Sequence, residues 1–90
     1  MEHNFEEQAN ILKALGHPTR LRIVKGICEN GCNVSRMVEG LGMPQATVSQ
    51  HLGVLRASGI IKGEKRGLEI CYRIINEKVK KILEVMASDS

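Results

Sequence analysis

Both prolines of this 90-residue chain, Pro18 and Pro44, stand where an apolar stripe of helical period begins, and four of its glycines stand where such stripes end. Proline suits the first helical turn because the N–H it lacks has no intrahelical partner there. Glycine just past the last turn stops a helix at little steric cost. Gly16, Gly31, Gly42 and Gly59 thus divide the first two thirds of the chain into four short helices.

The stripes agree with that punctuation. Asn4 followed by Glu7 reads as a capping box opening a helix over residues 5–15, with Phe5, Ala9, Leu12 and Leu15, and Ile11 beside them, on one face. The second helix runs from Pro18 to about Glu29 with Leu21, Val24 and Cys28 inward, and Asn30-Gly31 is a strong stop, since both residues tolerate the left-handed conformation. Cys32–Val34 reads as a short extended piece, after which Ser35 caps a third helix with Met37, Val38 and Leu41 inside. The fourth helix spans about Pro44 to Ala57.

Beyond Gly59 the period falls to two. Ile60 to Glu64 and Leu68 to Ile74 read as strands joined by a turn at Lys65-Arg66-Gly67, with Leu68, Ile70, Tyr72 and Ile74 alternating against Glu69, Cys71 and Arg73. Asn76 caps a last helix over residues 77–87 carrying Val79, Ile82, Leu83 and Met86. The expected fold is mainly α with a small β-hairpin, in the order α-α-α-α-β-β-α and within one domain, residues 1–90. At this length a domain buries only about 60–65 % of the surface it exposes when unfolded, so a partner subunit is a natural source of further burial.

The helix pair at residues 35–57, broken by Gly42-Met43-Pro44, has the form of a helix-turn-helix. On the fourth helix Val48, Leu52 and Leu55 point inward, while Ala46, Gln50, Gly53 and Ala57, flanked by Thr47 and Ser49, point out. A slim polar face of this kind fits a major groove about 12 Å wide. Gln45 and Gln50 are candidates for bidentate bonds to adenine, and Thr47 and Ser49 for bases or phosphates. His51 lies between the two faces, open to packing or to DNA. Lys65 and Arg66 on the hairpin tip can straddle the adjacent phosphate backbone. A solvated helix closing a small bundle and an ordinary solvated hairpin tip are the competing readings.

Charge favours DNA. The net +3 hides an uneven distribution: residues 16–81 hold twelve Lys and Arg against five Glu, while each terminal segment is −2. Aromatic residues make up only 2 %, which argues against rows of stacked rings for single strands. No run approaches the ~18–20 apolar residues of a membrane span, and the acidic N-terminus is unlike a signal peptide. A cytoplasmic protein is expected, with three cysteines that begin as thiols.

The stretch Ala14-Leu15-Gly16-His17-Pro18-Thr19-Arg20-Leu21-Arg22-Ile23, the stretch Val48-Ser49-Gln50-His51-Leu52 and then Tyr72-Arg73-Ile74 together resemble the ArsR/SmtB family of winged-helix repressors, over about residues 9–75. The resemblance implies a homodimer on a palindromic double-stranded operator, released when an effector reaches a sensing site. It places DNA contacts on Gln45, Ala46, Thr47, Ser49 and Gln50, with wing contacts at Lys65 and Arg66 in a wing spanning residues 60–74. Met43 stands where many relatives have a capping Ser, and Ala46 replaces another Ser. The terminal helices, 5–15 and 77–87, are expected to pair with those of a second copy through Phe5, Ile11, Leu12, Leu15, Val79, Ile82, Leu83 and Met86. A monomer whose terminal helices cover its own core is the alternative.

The effector is less legible. The family's terminal-helix zinc site needs a His that the last helix lacks, and its Cys-x-Cys pair is replaced by Asn33-Val34-Ser35. What remains is Cys28, Cys32 and Cys71. Cys71 falls on the polar face of its strand, where packing does not explain it. In winged helices the piece before the third helix tends to pair with the hairpin, which brings Cys32 toward Cys71. Three thiolates suit arsenite or a soft metal ion; two suit a disulfide or polysulfide switch driven by reactive sulfur or oxygen species. Inert structural cysteines are the alternative. No nucleophile–base arrangement or phosphate loop points to an enzyme, and Cys-x-x-Cys beside a βαβ unit is absent. A winged helix used for protein contacts without sequence-specific DNA binding is the competing function.

Overall fold

Short polar side chains start the helices. In the computed structural model, which describes residues 4–88, Asn4 Oδ1 accepts the Glu7 N–H at 3.0 Å and opens α1 (Phe5–Leu15). His17 caps α2 (Pro18–Asn30) through Nδ1, which accepts the Thr19 N–H at 3.1 Å, with Pro18 in the first turn. Asn76 Oδ1 accepts two N–H groups at the start of α5 (Glu77–Ala87). Such caps are each worth about 1 kcal/mol and depend only on local chain.

Between α2 and α5 lie a 3-10 turn (Gly31–Asn33), α3 (Val34–Leu41), α4 (Gln45–Ala57) and the antiparallel hairpin β1 (Ile61–Arg66) and β2 (Glu69–Ile74). Two local expectations are corrected here. The piece at 32–34 is helical rather than extended, and α3 opens at Val34, which puts Ser35 inside the helix. Asn30 and Gly31 are not left-handed: their φ values are −161° and −66°. Asn30 instead caps the 3-10 turn, its Oδ1 accepting the Cys32 N–H at 3.1 Å. His3 and the side chains of Ser35 and Val38 lie outside the described residues.

Gly31 is required by proximity, since a Cβ there would run into the Tyr72 carbonyl of β2. Other glycines, Gly59 at φ +72° among them, are required by conformation. Gly42, with φ +65°, turns the chain between α3 and α4, and Gly67, with φ +64°, turns it between the strands.

The core is aliphatic. Ile11, Ala14 and Leu15 of α1 meet Ile23, Val24 and Ile27 of α2, Val34 of α3 and Val48, Leu52 and Leu55 of α4, closed by Ile60, Ile61, Ile74 and Val79. The inward face of α2 is thus Ile23, Val24 and Ile27, with Leu21 half-buried. Cys28, expected inside, is exposed. The base of the hairpin belongs to this core, and Ile75 N–H donates to the Ile60 carbonyl at 2.9 Å. Its far end does not: Leu68 is fully exposed and Ile70 is 49 % exposed, against the expectation that both face inward.

A candidate nucleic-acid interface

Helix α4 is anchored by Val48, Leu52 and Leu55, and the opposite surface of its first half is left to solvent. Gln45, Ala46, Ser49 and Gln50 are exposed, and Thr47 is half-buried. Pro44 stands at the N-cap with no side-chain cap, so the first N–H groups of α4 are open and carry the positive end of the helix dipole.

The wing flanks this end. Gln45, Val48, Ser49 and Leu52 of α4 share a cleft of 360 Å³ with Ile70 and Tyr72 of β2, and Val34, Glu39 and Met43 complete its walls. Tyr72 lies over Gly63, where a Cβ would stand 3.0 Å from its ring, so the small residue seats the aromatic one. Lys65 and Arg66 at the far end of β1 are exposed. The nearest carboxylate, Glu64, is 4.0 Å from Arg66 and 3.4 Å from Arg73. Exposed pairs of this kind are weak. Ile70 and Tyr72 were not singled out from sequence as neighbours of the helix; only the hairpin's fold-back shows it.

His51 is turned away from this face. Its ring centroid is 4.7 Å from that of His17, tilted by 51°, and it is half-buried. Burial, then the nearby His17 and Arg20, hold its imidazole below the ordinary value. Arg20 donates to the Ala14 carbonyl at 3.1 Å, and its Nε is buried with no partner among the described residues. The histidine pair therefore joins the start of α2 to the middle of α4.

Cys32 in the 3-10 turn and Cys71 in β2 are joined by a disulfide, with their Cα atoms 4.1 Å apart. This accounts for a cysteine on the polar face of β2. Cys28 is the free thiol; though the residue is exposed, partial desolvation of its sulfur raises its pKa, opposed by Lys80. The three sulfurs therefore do not form one three-thiolate site. Among the described residues no group of three or more His, Cys, Asp and Glu is placed to hold a metal ion. Arsenite or a soft metal can engage Cys32 and Cys71 only after their bond is opened.

The expected dimer surface divides. Ile11, Leu15 and Val79 are buried within the protomer and belong to its core, and Ile82 and Leu83 are half-buried against it. Phe5 and Leu12 of α1 and Met86 of α5 remain 75 %, 58 % and 60 % exposed, joined by Val85 at 68 %, which the sequence reading missed. Among the described residues no helix is long and apolar enough to cross a membrane.

Comparison with known proteins agrees with this architecture. Residues 17–62 match the model of the arsR family of bacterial regulatory proteins. An HTH-type transcriptional regulator of Methanocaldococcus jannaschii is 41 % identical over 91 % of this chain and 93 % of its own. The transcriptional repressor PagR of Bacillus anthracis has a crystal structure that superposes with a TM-score of 0.78 at 40 % identity, covering 91 % of this chain and 94 % of that one. A homodimeric winged helix-turn-helix DNA-binding domain from Mycobacterium bovis superposes with a TM-score of 0.80 at 25 % identity, over 93 % of this chain and 78 % of that one. The order of four helices, hairpin and helix is a winged helix-turn-helix, and the chain belongs to the arsR family of bacterial regulatory proteins.

Proposed function

We propose that the protein is a homodimeric, sequence-specific repressor that binds double-stranded operator DNA and is released by chemistry at Cys32 and Cys71. The observation that carries this reading is the placement of the open, uncapped start of α4 beside the wing, whose Ile70 and Tyr72 share a cleft with it and whose far end carries the exposed Lys65 and Arg66. Gln45 and Gln50 read base edges in the major groove, and Ala46, Thr47 and Ser49 complete the contact surface. Lys65 and Arg66 hold the neighbouring phosphates. His51 acts from behind, fixing α4 against α2.

The exposed apolar residues of α1 and α5 face the second copy, as the homodimeric M. bovis domain supports. The protein works in the cytoplasm, as a regulator and not as an enzyme. Thiol-reactive species, arsenite or a soft metal ion act on Cys32 and Cys71 once their disulfide is reduced.

Fluorescence anisotropy on the chain's own promoter, against a scrambled duplex of equal length, tests the reading. Specific DNA-binding proteins prefer their sites by about 10³–10⁷, and Gln50→Ala narrows that preference. Equal affinity for both duplexes would exclude an operator-binding role and favour a winged helix that contacts protein.

A further inference from the structure

The rings of His17 and His51 tie the N-cap of α2 to the middle of α4, at the residue that follows Gln50. Val48, Leu52 and Leu55 hold α4 to the core by apolar contact, which has no preferred direction. The ring pair adds a fixed point to that support. It lies beside the reading face, because Gln50 and His51 line the same cleft with Arg20.

Both rings are placed for the neutral state. His17 Nδ1 accepts the Thr19 N–H, so the neutral ring carries its proton on Nε2. A second proton, on Nδ1, turns that acceptor into a donor and breaks the cap of α2. The positive groups facing His51 are His17 and Arg20 of α2. Arg20 is held there by its bond to the Ala14 carbonyl, with its Nε buried. On α4 itself the shared cleft holds Gln50, Gly53, Val54 and Ala57, none of which titrates. From α1, Glu7 and Lys13 line the adjoining cleft with Arg20. Among the described residues no carboxylate comes within ion-pair distance of His17, Arg20 or His51. Two charged rings here would face each other and a guanidinium without a counter-charge. His51 is only half-buried, so water can deliver the proton.

We propose that the His17–His51 contact is an acid-sensitive joint, which keeps α4 in its reading position while both rings are neutral and releases operator DNA when they are protonated. The inference rests on the proposed DNA-binding function and adds to its regulation a proton-driven step that involves no cysteine. The closed joint binds fewer protons than the opened one, so acid shifts the population toward the opened one. A histidine touching a phosphate behaves in the opposite way, since the anion favours the charged ring and binding tightens in acid. The sign of the pH dependence therefore separates a joint behind α4 from a contact with DNA.

Operator affinity of the oxidised full chain is read by anisotropy at fixed salt, from about pH 7.5 to about pH 5.5, the window in which histidine changes charge. Circular dichroism and sedimentation equilibrium are run at each pH. The operator dissociation constant should rise by roughly 3–10-fold, tenfold being about the most that one histidine of ordinary value supplies over that range. Helix content and the dimer stay unchanged. His51→Gln, whose amide does not titrate, flattens the profile whatever its affinity at the upper pH. His17→Asn keeps a capping oxygen and lowers the slope, so the assignment survives poor folding of either variant. A flat profile for the unmodified chain overturns the inference, as does tighter binding in acid. So does a slope undiminished in both variants, or a loss that tracks unfolding or dimer dissociation. Absence of operator preference over a scrambled duplex at the upper pH overturns the DNA-binding function itself.

Discussion

Opening the Cys32–Cys71 bond should cost stability as well as affinity, and the size follows from the length of chain it closes. With the cysteines 39 residues apart, the loop-closure entropy removed from the unfolded chain amounts to about 4 kcal/mol at 25 °C. A domain of this length shifts in Tm by roughly 4–8 °C per kcal/mol, so reduction corresponds to a fall on the order of 15–30 °C. Urea unfolding followed by circular dichroism, at one fixed protomer concentration, compares the oxidised chain with Cys32→Ser/Cys71→Ser. The midpoint drops by that free energy divided by m, the slope of stability against urea. Hydrogen exchange shows the loss at every amide that exchanges only through global unfolding, because the effect lies in the unfolded chain. A double variant within about 0.5 kcal/mol of the oxidised protein would refute the loop-closure argument, because a cross-link across a compact denatured state removes little entropy.

Three further outcomes follow from specific contacts. Gly31→Ala places a Cβ against the Tyr72 carbonyl, and the backbone shift this forces should cost about 1–3 kcal/mol by urea titration; an unchanged midpoint contradicts the close approach. His51 has a folded pKa below its ordinary 6.5, so the folded state binds fewer protons than the unfolded one in that window. Its stabilisation is complete above pH 6.5 and is lost as pH falls from there through the lower folded value. His51→Gln flattens that slope in a series of urea titrations, and an unaltered slope assigns it elsewhere. Leu12→Glu places a charge on the exposed stripe of α1 and should yield monomers by sedimentation equilibrium with the fold retained; an intact dimer moves the interface away from α1.

What could be read from sequence was what short stretches of chain decide alone. Asn4, His17 and Asn76 cap helices through bonds spanning two or three residues, so the starts of α1, α2 and α5 were legible. The inner face of α4 was legible too, because Val48, Leu52 and Leu55 leave one way to turn it. The inner face of α2 was not. Leu21, Val24 and Cys28 match helical period as well as Ile23, Val24 and Ile27, and contact with the other core elements selects the second set.

The terminal stripes failed differently. Each of the two stripes divides: α1 gives Ile11 and Leu15 to the protomer core and leaves Leu12 outside, and α5 gives Val79 and leaves Met86 outside, a division set by tertiary packing and invisible to periodicity. Asn30-Gly31 carried a left-handed signal, yet Gly31 is needed for its missing Cβ, a requirement imposed by a strand some forty residues away. The same approach joins Cys32 to Cys71, a pairing that strand alternation hinted at by leaving Cys71 on a polar face.

The central claim is that α4 and the wing grip duplex DNA together. The dependence of operator affinity on salt, measured for the oxidised chain and for Lys65→Ala/Arg66→Ala, tests it most directly. Neutralising ~6–10 phosphates predicts a fall of about 10³–10⁵ in affinity between 50 and 200 mM salt, and the double variant should lower the log–log slope by about 2 while preserving the preferred sequence. A flat salt dependence, or a slope indifferent to losing both wing cations, would contradict the account.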